Sequence, residues 1–199
     1  IEHLDFIRFR TRAPVVIPER ITPDHELLEI LEKYNKLKTI NIVTHYNHPK
    51  ELTEESLEAI KALQAAGLRV LNQSVLLKGV NTDATIIKEL IQKLTRNGIQ
   101  PYYMFQCRPV KAVKETFEIP LAEGYDLIEE AKAGLSGPAK HFRFAMSHPR
   151  GKIEMVGKTE DQMIFRFIQA KNTEDIGKTF IKEINPKGRW FDRDLNWLE

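Results

Sequence analysis

The stretch Thr44–Asn81, THYNHPKELTEESLEAIKALQAAGLRVLNQSVLLKGVN, decides the predicted fold. It predicts the end of one strand, a polar loop, a helix and a second strand. Thr53 is the predicted N-cap of the helix, and the two glutamates that follow it complement the helix dipole. Gly67 marks the end of that helix. We interpret the stretch as a β–α–β unit, which is typical of a parallel sheet.

The same unit recurs on both sides of this stretch. Strands are predicted to start roughly every thirty residues with a helix between them, which indicates a doubly wound sheet or a (β/α) barrel. The predicted strands are Leu4–Phe9, Ile40–Val43, Val70–Asn72, Pro101–Gln106 and His141–Met146. Helices are predicted to begin at the N-caps Thr22, Thr53 and Thr82 or Asp83, and Leu121–Ala133 is predicted as a further helix. Thr11–Pro18 is predicted to be a loop, because two prolines interrupt it.

The pattern changes after residue 150. Ile153–Val156 and Gln162–Phe167 predict an antiparallel hairpin, joined by the turn GKTED. The tail Ile184–Glu199 has two tryptophans but little periodicity, and we expect it to pack against the body of the fold. The sequence therefore divides into residues 1–150 with the repeated unit and residues 151–199 with a hairpin and tail.

Composition excludes several classes of function. A net charge of +2 gives no electrostatic reason to expect nucleic acid as the main partner, and apolar runs of only a few residues predict no membrane span. A single cysteine, Cys107, excludes an internal disulfide and fits a reducing, cytoplasmic location. It also excludes an iron–sulfur site whose thiolates all come from one copy of this chain.

Polar residues follow two neighbouring predicted strands. His45, Asn47 and His48 follow one strand, and Asn72 and Gln73 lie near the end of the next. Ligands bind at the carboxyl ends of parallel strands, so this cluster predicts a binding site. The two histidines are also spaced for a metal, and the remaining alternative is that they only bond the loop backbone.

Three more residues could carry chemistry after later strands. Lys152 follows the turn Ser147–Gly151, where its amine could attack a carbonyl, or it could be an ordinary exposed lysine. Arg108 could pair with a carboxylate, or it could lie in solvent. Cys107 would need a neighbouring base to act as a nucleophile, so a buried small residue is the better interpretation.

Five stretches together resemble the lysine 2,3-aminomutase family of radical S-adenosylmethionine enzymes. They are TRAPVVIPERIT, THYNHPKELTEES, NQSVLLKGVN, PYYMFQC and SGPAKHFRFAMSHPRGK, in the order and near the spacing of the family. The resemblance covers about Leu4–Lys152. It implies an α/β fold that is part of a (β/α) barrel of parallel strands, with the hairpin as a small C-terminal appendage.

The resemblance also implies cofactors and their residues. The family uses a [4Fe-4S] cluster, S-adenosylmethionine and pyridoxal phosphate to move an α-amino group to carbon 3 of an amino acid. Lys152 matches the lysine that forms an imine with pyridoxal phosphate. His45 and Gln73 match residues that contact S-adenosylmethionine, and Asn47 lies beside them as a further cofactor-binding candidate.

The departures from the family are equally informative. The cluster motif, three cysteines spaced C-x3-C-x2-C, has no counterpart, so the chain resembles the C-terminal half of such an enzyme and is expected to be inactive by itself. Two aspartates that hold the lysine ammonium in lysine enzymes fall on Arg108 and Ser147. An acidic amino acid such as glutamate is therefore the predicted substrate.

Two other interpretations stay open. The chain could be a non-catalytic half barrel that binds a nucleotide or pyridoxal phosphate, or a small α/β enzyme outside the family. We expect a homodimer, because a half barrel would leave a strand edge unpaired and apolar interior exposed.

Overall fold

In a computed structural model, which describes residues 3–111 and 116–199, the chain forms one eight-stranded sheet and one small two-stranded sheet. The strands of the large sheet lie in sequence order. Its strands are β1 (Phe6–Arg10), β2 (Thr39–Thr44), β3 (Arg69–Leu76), β4 (Gln100–Gln106), β5 (Arg143–His148), β6 (Gly151–Lys158), β7 (Gln162–Ala170) and β8 (Thr179–Glu183). Strands β1 to β5 pair in parallel, and β5 to β8 pair antiparallel. The predicted partial (β/α) barrel with a C-terminal hairpin is confirmed.

Helices connect the parallel strands, as is usual for the crossover connections that parallel pairing requires. They are α1 (Ala13–Val16), α2 (His25–Asn35), α3 (Glu54–Ala65), α4 (Ala84–Arg96) and α5 (Leu121–Ala133). The hydroxyl of Thr53 accepts a hydrogen bond from Ser56 N (3.2 Å), and Asp83 caps α4 in the same way. These two predicted caps are therefore confirmed. No helix in the described ranges has the length and apolar character that a bilayer crossing needs.

Two predictions near the N-terminus are wrong. Thr11–Pro18 is not simply a loop, because Pro14 lies in the first turn of α1, where its missing N–H costs no hydrogen bond. Helix α2 begins after Asp24 rather than Thr22, and the Asp24 carboxylate accepts from Leu27 N at 2.9 Å. A carboxylate also interacts more favourably with the helix dipole than a hydroxyl does.

The hairpin β6–β7 continues the large sheet. The predicted boundary between residues 150 and 151 falls in the turn between β5 and β6, and β5 pairs with β6 across it. Strand β5 begins two residues later than predicted, because Pro138–His141 form a 3-10 turn. The tail forms the small sheet from β9 (Trp190–Phe191) and β10 (Trp197–Leu198).

The core lies between the sheet and the elements that cover one of its faces. Ile42, Met104 and Ile153 point into it from three strands and are at most 3% exposed. Phe191 of the tail packs edge-on against Phe165 of β7, with ring centroids 5.0 Å apart. The tail therefore covers the hairpin strands as the helices cover the parallel ones, and its predicted packing against the body is confirmed.

Gly151 starts β6 with a φ of +151°, which other residues rarely adopt. A Cβ here would lie 2.0 Å from the Gln169 carbonyl oxygen of β7. We expect Gly151→Ala to lower the free energy of unfolding by about 2–4 kcal/mol, through backbone strain and overpacking. Urea unfolding measures this change.

The matched control is Gly137→Ala, because a Cβ at residue 137 meets no atom within 4 Å and needs no unusual φ. We expect this control to change the unfolding free energy by less than about 0.5 kcal/mol. Equal losses for the two variants would contradict the role assigned to Gly151.

Candidate functional site

Alternation along the strands sorts side chains between two faces of the sheet. Where Ile42, Met104 and Ile153 point into the core, their strand neighbours point the other way. We call this opposite face the inner face, since it is the concave side of a half barrel with outer helices. The residues of the inner face used below are Arg8, Arg10, Gln73, Tyr103, Phe105, Ser147, Lys152 and Glu154.

Lys152 lies on the inner face and is only 9% exposed. Its Nζ lies 4.2 Å from the ring centroid of Tyr103 and 5.4 Å from that of Phe105. The two rings stack on each other, 5.0 Å apart and 21° from parallel. The interpretation of Lys152 as an exposed turn lysine is therefore wrong, because the side chain packs on an aromatic surface.

The surroundings of Lys152 favour its neutral form. Burial first, and then the positive charges of Arg10 and Arg8, together lower the pKa of its amine from 10.5 to about 8. The two rings attract the ammonium, whereas desolvation favours the neutral amine. A lysine with this pKa is partly neutral near pH 8, and a neutral amine is the form that attacks a carbonyl carbon.

Ser147 and Arg108 lie beside Lys152. Ser147 of β5 is the cross-strand partner of Lys152 in β6. The Arg108 guanidinium donates a hydrogen bond through Nη2 to the Ser147 carbonyl oxygen, at 3.2 Å. The side chains of Arg108 and Ser147 are exposed, so both are accessible to a ligand on this side. The predicted imine lysine thus lies near the two residues that the resemblance assigns to the substrate.

His45 and Gln73 form a second group at the ends of β2 and β3. His45 hydrogen-bonds the Gln73 main chain, and burial lowers its pKa, with further lowering by Arg10 and Arg12. Gln73 is 2% exposed, and its Nε2 has no hydrogen-bond partner in the described structure. A buried amide without a partner is costly, and a ligand with an acceptor atom would remove that cost.

Asn47 and His48 bond within the protein instead. Asn47 Oδ1 accepts from Val75 N at 2.8 Å, which ties the loop to β3. The His48 ring accepts from Lys50 N at 3.1 Å and caps a short turn with Glu51. Among the residues that the structure describes, no three His, Cys, Asp or Glu side chains are grouped to hold a metal. The geometry therefore gives Asn47 and His48 structural roles in this loop.

Asn72 and Cys107 are also structural. Asn72 exchanges hydrogen bonds with the backbone of Tyr46 on the core side of β3, at 2.7 and 3.1 Å. Cys107 is 2% exposed, and burial followed by the charge of Glu118 raises the pKa of its thiol to about 11. A thiol with this pKa stays protonated at neutral pH, which does not suit a nucleophile.

Four residues of the inner face did not emerge from the sequence as site residues. They are Tyr103 and Phe105 of β4 and Arg8 and Arg10 of β1. The sequence does contain a signal for them, which is the alternation of residue types along each strand. Met104 separates the two aromatic residues, and Phe9 separates the two arginines. The alternation shows a shared face, but only the strand pairing shows which face it is.

Comparison with known proteins identifies the family, although no family model matches the chain. The chain is 39% identical over 194 residues to a protein of Aquifex aeolicus assigned as an L-lysine 2,3-aminomutase, covering 96% of this chain and 52% of that protein. It is 36% identical over 192 residues to the L-lysine 2,3-aminomutase of Clostridium subterminale, covering 93% and 43%. The chain belongs to the lysine 2,3-aminomutase family. The predicted resemblance is confirmed.

Another relative of the chain is named for a different substrate, glutamate. The chain is 36% identical over 174 residues to the glutamate 2,3-aminomutase of Clostridioides difficile, covering 87% of this chain and 38% of that protein. The chain spans about half the length of the curated relatives it matches, or less. A solved radical SAM methyltransferase from Sphaerobacter thermophilus aligns over 61% of the chain at 14% identity and a TM-score of 0.45, too low to support an argument.

Lys152→Met should stabilise the chain in a pH-dependent way. Folding lowers the pKa of Lys152 from 10.5 to about 8, so below pH 8 the folded state carries the full cost of a buried ammonium. That cost falls as pH rises from 8 to 10.5, because the folded amine is then neutral while the unfolded amine is still charged. We expect the variant to gain up to about 3 kcal/mol at pH 6–7, and less at pH 10.

Urea unfolding at pH 6.5 and pH 10 measures this difference. The control is Lys61→Met, which removes an exposed lysine from the outer side of α3 and should give no pH-dependent gain. A loss of stability for Lys152→Met at pH 6.5 would show that the ammonium is stabilising where it lies.

Proposed function

We propose that the whole protein is a pyridoxal phosphate-dependent amino-acid 2,3-aminomutase, an isomerase that moves an α-amino group to carbon 3. The observation that carries this proposal is Lys152, a buried lysine of lowered pKa packed on two aromatic rings beside Ser147. Family membership supports the reaction class, since the relatives are named as lysine and glutamate 2,3-aminomutases.

Lys152 fits pyridoxal phosphate. Its Nζ would hold the cofactor's aldehyde carbon covalently, and the rings of Tyr103 and Phe105 would pack against it. When bound, this cofactor supplies a conjugated carbon–nitrogen system that lets an amino group migrate. Burial of Lys152 keeps water from the amine and holds part of it in the neutral, reactive form.

His45 and Gln73 fit S-adenosylmethionine. The unpartnered Gln73 Nε2 would donate to an acceptor atom of the ligand, and His45 is positioned beside it by its bond to the Gln73 main chain. Asn47 would act indirectly, because its side-chain oxygen already fixes the loop that carries His45. The role of Asn47 is therefore to position the loop.

The residues of this chain do not fit a [4Fe-4S] cluster. A cluster of this family takes three thiolates, and the chain has one cysteine, which is buried. We therefore propose that the chain without further protein binds ligands on its inner face but is inactive as an aminomutase. In this state it would be a non-catalytic half barrel that binds pyridoxal phosphate or a nucleotide.

The proposed substrate is an acidic amino acid, with glutamate the leading candidate. The Arg108 guanidinium would meet the distal carboxylate, and the Ser147 hydroxyl would donate a second hydrogen bond. Each hydrogen bond to a charged group contributes about 1.5–3 kcal/mol. The ammonium of a lysine substrate would instead be repelled by Arg108, so selectivity against lysine should be large.

Arg108→Asp in the whole protein tests this assignment. We expect glutamate to be the better substrate before the change, and kcat/KM for glutamate to fall at least about tenfold after it, because a carboxylate then faces a carboxylate. The assay detects the 3-amino product by chromatography with lysine, glutamate, aspartate and alanine as substrates.

Arg96→Asp is the control, because Arg96 lies in the last turn of α4 on the outer layer. It should leave kcat/KM unchanged. Lysine turning over faster than glutamate in the unmodified protein would end the acidic-substrate proposal, and no 2,3-aminomutase product from any amino acid would end the proposed reaction.

We also propose that the isolated chain forms a homodimer through the apolar surface of β1 and α2. Phe9 and Tyr34 are 47% and 51% exposed there, and Leu37 is 68% exposed. In the described structure β1 pairs with a strand on one side only, so its other edge has unpaired backbone groups. A second copy could pair with that edge and cover these side chains.

Light scattering of the isolated chain tests the dimer. We expect twice the chain mass at tens of micromolar protein, and Leu37→Asp should shift the population to monomer. Val156→Asp is the control, because it changes a similarly exposed apolar residue, 49% exposed, on β6. A monomer at that concentration without any substitution would contradict the proposal.

A further inference from the structure

Two arginines share the inner face with Lys152. In β1, Ile7 packs against the core and pairs with the buried Ile40 of β2. Arg8 and Arg10 alternate with these core positions, so their side chains leave the sheet on the inner face. Arg8 lies over the ring of Phe6, 5.5 Å from its centroid.

Neither arginine is neutralised within the described structure. The ion pairs of the described residues include none with Arg8 or Arg10. Glu154, an acidic residue of the inner face, lies 3.7 Å from Arg143 on the neighbouring strand. Arg8 and Arg10 thus add two unneutralised positive charges to the face that holds Lys152, and after burial these charges are the next causes of its lowered pKa.

Arg8 and Arg10 are exposed and partly screened by solvent, but an anion bound between them would offset the repulsion that they exert on the buried Lys152 amine. Two guanidinium groups two residues apart on one strand point in the same direction, which suits a phosphate or carboxylate with several acceptor oxygens. Gln73 adds an unpartnered buried donor to the same face. The face therefore combines a reactive amine with donors for an anionic group.

We propose that Arg8 and Arg10 form an anion seat, which holds the phosphate or carboxylate of a carbonyl ligand while Lys152 reacts with its carbonyl carbon. The inference rests on the role proposed above for Lys152. In the reaction, neutral Nζ attacks the carbonyl carbon, the nitrogen loses its two protons, and the carbonyl oxygen leaves as water when the carbon–nitrogen double bond forms. Cyanoborohydride then reduces that bond by hydride transfer, which gives a stable secondary amine.

The first test compares aldehydes that differ in an anionic group. The isolated chain is treated with cyanoborohydride and pyridoxal phosphate or pyridoxal, and in parallel with succinic semialdehyde or butanal. Modification of Lys152 is followed by peptide mass spectrometry. We expect the anionic member of a pair to modify Lys152 about tenfold faster or more. If the anionic aldehyde reacts faster in the first pair but not in the second, the seat holds a phosphate. If it reacts faster in the second pair but not in the first, the seat holds a carboxylate.

Variants assign the preference to the arginines. Arg8→Ala and Arg10→Ala should each remove most of the preference for the anionic aldehyde. Arg96→Ala on the outer layer should leave it unchanged. Thermal melting, monitored by circular dichroism, checks that each variant is folded. Arg10→Lys should keep part of the preference that Arg10→Ala loses, because lysine keeps the positive charge.

A second readout does not depend on aldehydes. Acetylation of Lys152 by acetic anhydride is measured against pH, with and without inorganic phosphate. Phosphate bound at the seat offsets the arginine charges, so it should shift the midpoint for Lys152 to higher pH in the unmodified chain but not in Arg10→Ala. The other ionisable or charged groups near Lys152 are unchanged in this comparison; among the described residues they include Tyr103, Arg108, Arg143, Glu154 and Arg166.

The two proposals fail in different ways. If no aldehyde modifies Lys152 while acetylation still shows the phosphate shift, the seat stands and the role of Lys152 is wrong. If aldehydes modify Lys152 equally with and without an anionic group, and phosphate leaves the acetylation midpoint unchanged, the seat is wrong.

Discussion

The burial of Lys152 against Tyr103 and Phe105 is the interaction around which the candidate site is arranged. It requires an inner face where a lysine can lie 9% exposed, and it depends on the close approach of β6 to β7 at Gly151. The cost of that burial appears as the lowered pKa of the amine. A sheet stabilised only by its core would gain from replacing this lysine, so stability alone does not account for a lysine at this position.

The division of the sheet into two faces explains the separation of structural and functional residues. Core residues such as Ile42 and Ile153 bury apolar surface against the elements that cover the sheet. The alternate residues point to the inner face, and many of them are polar or charged. Asn72 and Gln73 illustrate the division, because they are adjacent in the chain but point to opposite faces. Asn72 stabilises a loop, whereas Gln73 keeps an unpartnered donor.

Much of the fold was accessible from the sequence, and the reasons are local. Helix α5 occupies the predicted range Leu121–Ala133, and Thr53 caps α3, because apolar periodicity and capping residues act over a few positions. The start of α2 was misplaced because Thr22 and Asp24 are both good caps. The site was only partly accessible, since Arg8 and Lys152 are far apart in sequence. Their shared face follows from strand pairing, which no local pattern encodes.

The protonation state of the Lys152 amine is the most direct test of the role given to this residue. Lysine labelled with ¹³C at Cε allows each amine to be titrated by NMR in the folded chain, and Lys152→Met identifies the signal. We predict that the Lys152 signal titrates near pH 8. A Lys152 signal that titrates near its ordinary value of 10.5 would show a solvated ammonium, and would contradict the central role given to this residue.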